Sequence, residues 1–309
     1  MVGRRPVIRI GFDIGGSKIA AIALDEQGTQ LGRDRCPVPR DYRGTLDALV
    51  GMSEALAQAH SGAQGMARSV GIALPGMIGA AGELVRVVNL PWLEGMPLCA
   101  DLQRALGQAV AIANDANCFA LSEAIDGAAA GAAVVFGVIL GTGVGGGIVV
   151  HGKVIAGANA IAGEWGHNPL PDAGADAGPP QVCGCGRVGC IETWLNGAAL
   201  ARDYLASSGR DADAAAIARL AAAGDRDARA VIARFEQRLA VALAGIVNIV
   251  DPDVIVLGGG LASIASLYTR VPLLWRERCV APEPRTRLVP ARFGPESGLR
   301  GAAWLGASA

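Results

Sequence analysis

Two glycine-broken β-rich stretches share one plan, and that repetition constrains the fold more than any other feature of the chain. The first is "VIRIGFDIGGSKIAAIALDEQG", residues 7–28; the second is "VVFGVILGTGVGGGIVVHGKVIAG", residues 134–157. In each, an apolar run meets glycines, a second apolar run follows, and a polar turn closes the unit. That order predicts a strand, a tight turn and a second strand rather than a strand-to-helix crossover. After the first copy, "TQLGRDRCPVP" reads as a third strand. We read the pair as a degenerate internal duplication, one copy per domain; two unrelated glycine-rich hairpins are the plainer alternative.

Further elements fill in around these copies. "TLDALVGMSEALAQAH" sets Leu46, Leu49, Val50 and Leu56 at helical spacing, and "SVGIALPG" reads as a buried strand ending at Pro75-Gly76. "VAIANDANCFALSEAIDG" is an apolar strand, then Asn114-Asp115, then a helix. From about Asn196 to Val250 the chain is helical, "DPDVIVLGGG" is a buried strand whose glycines open a helix, and "SGLRGAAWLGA" is a final helix. At 309 residues, 51% hydrophobic and 18% charged, the chain has enough apolar material for two globular domains. A net charge of −1 without a basic block argues against a nucleic-acid surface. No membrane-length apolar run and no secretory signal are read, so a cytoplasmic setting with reduced thiols is expected.

"GFDIGGSK" is not a P-loop, because Ser17 precedes Lys18 and a strand follows where a helix is required. A glycine turn between strands can still present N–H groups to phosphate oxygens, glycine's access to positive φ aiming the donors inward. On that reading Gly15, Gly16, Ser17 and Lys18 form one phosphate turn, and Asp13 is placed to hold Mg²⁺ directly or through water. Gly141, Thr142, Gly143, Gly145, Gly146 and Gly147 form a second turn, and Gly258, Gly259 and Gly260 allow close approach of an adenine or ribose. Tight packing alone is the competing explanation for each.

Asp115 has two readings at a helix start: an N-cap, or a general base that takes the proton of an attacking hydroxyl. Asn114, with donor and acceptor on one amide, suits a sugar hydroxyl, and Asn89 in "NLPWLEG" is a further candidate contact. Downstream, His167 and the C-x-C-x₄-C set of Cys183, Cys185 and Cys190 make three thiolates and one imidazole, a closed tetrahedral zinc set of the structural kind. Ordinary buried cysteines are the alternative. Glu164 and Glu192 bracket this segment; a metal pinning both ends would fix them to accept sugar hydroxyls, His167 turning its second ring nitrogen toward the same site. Solvated surface acids are the other reading.

"GFDIGGSK", "LPG", "ANDANCFALSEA", "LGTGVGGG", "GEWGH", "CGCGRVGCIE" and "DPDVIVLGGG", in that order, resemble the ROK sugar kinases nearly end to end. The resemblance implies an α/β, two-domain actin/hexokinase-like fold, duplicated and ribonuclease H-like, with an interdomain cleft. It implies a small domain over residues 1–118 with the helix at 295–309 packing back on it, and a larger domain over 119–294 carrying the zinc loop. Asp115 is then the base; Gly76, Asn114, Glu164, His167 and Glu192 fall to the sugar; Gly11 to Lys18 and the region from Gly143 fall to ATP; and His167, Cys183, Cys185 and Cys190 fall to zinc. "EAIDGAAAGA" and "GEWGHNPLP" look most like the bacterial fructokinases of the mannofructokinase type, whereas "FDIGGSKIA" also resembles N-acetylglucosamine kinase. The expected activity is ATP- and Mg²⁺-dependent phosphorylation of a hexose 6-hydroxyl, fructose first, with N-acetylglucosamine or glucose as alternatives, in a homodimer. A sugar-responsive regulator or a non-catalytic sensor is the different-class alternative. Only about seven residues precede the first strand, which leaves no room here for a DNA-binding domain.

Overall fold

The computed structural model describes residues 7–60, 67–79, 83–87, 89–174 and 177–306. The chain divides into two units, the first comprising residues 1–130, 152–162 and 296–309 and the second 131–151 and 163–295.

In the first unit β1 (Val7–Ile14), β2 (Lys18–Leu24) and β3 (Gln30–Pro37) form an antiparallel meander. It continues through α1 (Tyr42–His60), β4 (Ala67–Leu74), the short pair β5 (Gly76–Ile78) and β6 (Leu84–Val87), α2 (Leu98–Leu106), β7 (Val110–Asn114) and α3 (Asp115–Ile125). The sheet order is β3-β2-β1-β4-β7, with β1, β4 and β7 parallel. Helix α1 buries Leu46, Leu49, Met52 and Leu56 against this sheet; Val50, expected in that stripe, is only partly buried, and Met52 fills the inward position instead. These side chains join Ile8, Ile10, Phe12, Val70 and Ile72 in one apolar core.

In the second unit β8 (Val134–Leu140) and β9 (Val144–Val150) repeat the opening hairpin; the two-residue β10 (Lys153–Val154), next along the chain, falls in the first unit. Beyond it come α4 (Glu192–Leu195), α5 (Gly197–Ser208), α6 (Ala214–Ala222), α7 (Arg226–Val250), β11 (Val254–Gly258), α8 (Leu267–Leu274) and β12 (Arg287–Pro290). Strands β9-β8-β11-β12 lie side by side, β8 antiparallel to β9 and β11 parallel to both β8 and β12. The order β2-β1-β4-β7 in the first unit has the same pairing directions, so the sequence repeat is matched by a repeated topology. Phe136, Trp165, Phe235, Ile255 and Trp275 belong to a separate core of this unit.

The last helix, α9 (Ser297–Leu305), belongs to the first unit. It approaches so closely that a Cβ at Gly301 would collide with the Cys118 carbonyl oxygen of α3. Gly11 serves the same contact: it is buried within β1, and a Cβ there would lie 2.5 Å from the Leu299 carbonyl oxygen. The missing side chain makes room for α9, which by itself accounts for a glycine here. Arg300 pairs with Asp126 and donates to the Gly28 carbonyl, and Ser297 Oγ donates to the buried Glu123 carboxylate at 2.7 Å. These contacts bind α3 and α9 together, and the division between units falls after residue 130, leaving α3 whole, rather than after 118.

The alanine-rich region read as helical from about Asn196 to Val250 is three helices, each opened by a side-chain cap: Asn196, Asp213 and Asp225 accept from the backbone N–H three residues on. Among the described residues no helix is long and apolar enough to cross a membrane.

Candidate functional site

The first unit gathers four of the expected residues where β1 and β7 end. Asn114, the last residue of β7, is extended (φ −69°, ψ 162°), and its Oδ1 accepts from Asn117 N–H at 2.8 Å. Asn114 is thus the cap of α3. Asp115 is the first helical residue, and its Oδ1 accepts from the adjacent Ala116 N–H at 2.8 Å. The N-cap reading of Asp115 is corrected: its neighbour caps, and Asp115 sits at the helix tip, in contact with solvent yet crowded by surrounding protein. Protein packed around that carboxylate strips enough water to raise its pKa above the usual range. Asp13 is raised too, by burial first and then by the Asp115 charge, with Lys18 pulling the other way. The buried Cys118 thiol beneath is pushed far up by desolvation and by both acids, and so remains neutral.

Between β1 and β2 the turn is only Gly15, Gly16 and Ser17, closed by Gly15 N–H donating to the Lys18 carbonyl at 3.0 Å. Neither glycine has positive φ, and none of Gly141, Gly143, Gly145, Gly146 or Gly147 does. The expectation that left-handed backbone aims the donors is corrected for both turns; what glycine supplies there is closeness. A Cβ on Gly16 would stand 3.0 Å from the Cβ of Asn89, itself held at φ 64°, a left-handed conformation that Asn tolerates. Asn89 therefore lies over the first glycine turn. Gly76 has φ 145° and backs onto the Arg86 carbonyl of β6, so strand crossing accounts for its lack of a side chain.

In the second unit the turn between β8 and β9 is built into the metal-ligand segment. Val144 N–H donates to Glu192 Oε2 at 3.0 Å, Trp165 Nε1–H donates to the Gly145 carbonyl at 3.0 Å, and Gly197 N–H donates to the Gly141 carbonyl at 2.9 Å. Gly143 must be bare because a Cβ would sit 2.7 Å from Glu192 Oε2, and Gly146 because a Cβ would meet the Trp165 indole at 2.5 Å. Thr142 lies on the same turn. Gly258 ends β11, and Gly259, at φ 83°, abuts the Leu140 carbonyl. Gly260 opens a single 3-10 turn to Ser263, not the α-helix expected there.

His167, Cys183, Cys185 and Cys190 bring four ligand atoms within 4.8 Å of one another. His167 Nδ1 is 3.5 Å from Cys183 Sγ, and Cys185 Sγ is 3.7 Å from Cys190 Sγ. A tetrahedron with zinc's usual bond lengths has N···S edges of about 3.6 Å and S···S edges of about 3.8 Å. The residues present fit such an ion closely. A hydrogen bond from Arg187 Nε brings the Cys185 thiol down to about 6, toward the thiolate a metal takes. With Nδ1 turned to the sulfurs, His167 Nε2 faces Glu164 Oε2 at 3.8 Å. Glu164 is exposed, whereas Glu192, besides holding Val144, receives the Cys183 thiol at 3.4 Å through Oε1. The bland reading of Glu192 as a solvated surface acid is thereby corrected.

Trp165 and Gly197 were not legible as site residues. A signal existed for the tryptophan: a buried indole needs an acceptor for its N–H, and this one sits between Glu164 and His167.

Known proteins are similar over nearly the whole length. A family model described as ROK family matches residues 9–308. An N-acetyl-D-glucosamine kinase of Photobacterium profundum is 40% identical over 300 residues, covering 96% of this chain and 98% of the relative. The N-acetyl-D-glucosamine kinase of Yersinia pseudotuberculosis serotype O:1b is 41% identical over 301 residues, covering 96% and 97%. Among solved structures, the ROK hexokinase from Thermus thermophilus has a TM-score of 0.83 at 32% identity, covering 96% of this chain and 97% of that one. A ROK family glucokinase from Streptomyces griseus, in complex with glucose and AMPPNP, has a TM-score of 0.74 at 28% identity, covering 98% and 100%.

Proposed function

We propose that this chain, which belongs to the ROK family, is an ATP-dependent sugar kinase that transfers the γ-phosphoryl group to the 6-hydroxyl of N-acetyl-D-glucosamine. The observation that carries the chemistry is Asp115, a carboxylate at the first residue of α3, not consumed in capping and with its pKa raised. The choice of sugar follows the relatives at 40% and 41% identity, both N-acetyl-D-glucosamine kinases. Fructose, the first expectation from the motifs, finds no support in them.

In this reading Asp115 accepts the hydroxyl proton as the oxygen attacks phosphorus, and its raised pKa makes it a better proton acceptor than an ordinary carboxylate. Asp13, half-buried beside Lys18, offers the hard oxygen donor suited to the Mg²⁺ that accompanies ATP; that ion neutralises phosphate charge. Ser17 and the backbone of Gly15 and Gly16 serve phosphate oxygens, and Gly141–Gly147 and Gly258–Gly260 serve the nucleotide. Asn89, Asn114, Glu164, His167 and Glu192 recognise sugar hydroxyls. Asn114 Oδ1 already accepts from Asn117 N–H, so its amide N–H₂ is the group that faces substrate. Zinc at His167, Cys183, Cys185 and Cys190 holds Glu164 and Glu192 in place, a positional role that needs no open coordination site.

The test is kcat/KM for N-acetylglucosamine, glucose, mannose and fructose side by side. N-acetylglucosamine should lead fructose by about 10²-fold or more, which is within the roughly 10⁴–10⁵-fold by which a site that hydrogen-bonds a substituent can reject an analogue lacking it. A preference for fructose would overturn the substrate assignment and leave the kinase reading standing.

A further inference from the structure

The glycine turn between β8 and β9 is held by residues that flank the metal ligands on both sides, an arrangement no sugar contact requires. Two residues after Cys190, the Glu192 carboxylate reaches Val144 N–H through Oε2 at 3.0 Å and the Cys183 sulfur through Oε1 at 3.4 Å. Two residues before His167, the Trp165 indole N–H donates to the Gly145 carbonyl at 3.0 Å. The two ligand-bearing strands are themselves joined: Ile191 N–H donates to the Asn168 carbonyl at 2.8 Å, and Pro169 bridges Cys190. Both straps therefore start within two residues of a metal ligand and end on adjacent residues, Val144 and Gly145, where the turn enters β9.

We infer that Glu192 is a positioning residue that couples the metal cluster to the Gly141–Gly147 turn, so that the metal governs nucleotide affinity as well as the sugar side. This rests on the reading that the turn grips the nucleotide. A closed four-ligand metal fixes where the backbones at His167 and Cys190 lie. Given that, the short reach from Cys190 to Glu192 leaves its carboxylate one place to go, and Gly143, bare of a side chain, lets it in. Without the metal, Ile191, Trp194 and Leu195 still seat α4 in the core, but the segment leading into it keeps only isolated bridges, turn hydrogen bonds and the Arg238–Ala173 and Arg278–Asp172 contacts, so the start of α4 and the Glu192 carboxylate are held less firmly. The turn's amides then sample orientations in which they no longer converge on phosphate oxygens.

Two measurements on the zinc-loaded full chain test this: the Kd for MgADP by calorimetry, and amide hydrogen exchange of residues 141–147 without nucleotide. Glu192→Ala should weaken MgADP about tenfold, the low end for a hydrogen bond to a charged group, and speed exchange in the turn. Glu192→Gln keeps an oxygen acceptor for Val144 N–H and should restore both to near the parent values, which loss of a sugar contact alone would not do. Chelating the zinc should reproduce the Glu192→Ala exchange pattern, and adding Zn²⁺ back should reverse it. Should Glu192→Ala fail to fold, Trp165→Phe removes the second strap's N–H while keeping the ring against Phe136, and should speed exchange at the turn. Parent-like MgADP affinity and parent-like turn exchange in Glu192→Ala, or in the chelated protein, overturn the coupling. If MgADP fails to protect 141–147 in the intact zinc protein, the nucleotide reading of the turn falls, and with it the claim on affinity; exchange on chelation still decides whether metal and turn are linked.

Discussion

Asp115→Asn will fold, bind both substrates and turn over about 10²–10⁴-fold more slowly than the parent, the span a positioned general base contributes. Asparagine matches the carboxylate in size and keeps an oxygen for the Ala116 N–H, so α3 and its Asn114 cap survive. What disappears is the proton acceptor. The stability effect has a definite sign. The folded-state pKa of Asp115 is raised, so the folded protein binds its proton more tightly than the unfolded chain does. An ionised Asp115 thus opposes folding once pH exceeds its unfolded value, and the penalty is full above the folded value. At neutral pH the Asn variant should consequently melt no lower than the parent. Thermal melts and a coupled ADP assay on the same preparations check both halves. A variant that retains turnover, or is inactive only because it is unfolded, removes Asp115 from the role assigned. In the parent, kcat/KM should fall as pH drops through the raised Asp115 value, and that limb should vanish in the variant.

Cys190→Ser carries the second large effect. Cys190 is buried, and its sulfur sits 3.7 Å from Cys185 Sγ at the centre of the ligand set. Between His167 and Ile191 the described chain has little regular structure: two isolated bridges, Pro169 with Cys190 and Val182 with Val188, and a handful of turn hydrogen bonds. A metal joining His167 to Cys183 closes a loop of about 15 residues, a cross-link worth roughly 3 kcal/mol by chain entropy. The parent should purify with one zinc per chain. Cys190→Ser should carry none, lose about that much stability, and become cleavable by protease within 168–190. The core around Ile10 and Leu49 includes no part of the loop, and the core around Phe136 and Phe235 has only the partly buried Leu170, Ala173 and Ala177 of it at its edge, so both should stay folded. Elemental analysis and limited proteolysis decide it; a parent chain free of zinc, or a serine variant that keeps it, contradicts the assignment.

What could be read from the sequence was what local pattern determines. The two glycine-broken hairpins announced a repeated topology because strand-turn-strand order is a short-range property, and β1-β2 and β8-β9 are the result. The clustering of His167, Cys183, Cys185 and Cys190 was legible because thiolate and imidazole spacing reflects coordination chemistry directly. The misses share a different cause. Asn and Asp cap helices equally well, so only the backbone at Asn114 decides that it caps while Asp115 takes the first helical position. Gly11 looked like part of a phosphate turn alone, yet it packs against Leu299, far along the chain. Glu192 looked like a sugar ligand alone because nothing near it in sequence reveals Val144 N–H. Fructose was preferred to N-acetylglucosamine for a related reason: the motifs quoted are backbone and catalytic features, whereas telling two sugars apart depends on the placement of a few donors.

The most direct measurement is ADP release by the purified chain with MgATP, with and without N-acetylglucosamine, together with isolation of the sugar product. The account predicts negligible ADP alone and, with the sugar, one ADP for each sugar 6-phosphate formed. Equal ADP release in both conditions, or none in either with every hexose tried, would contradict it.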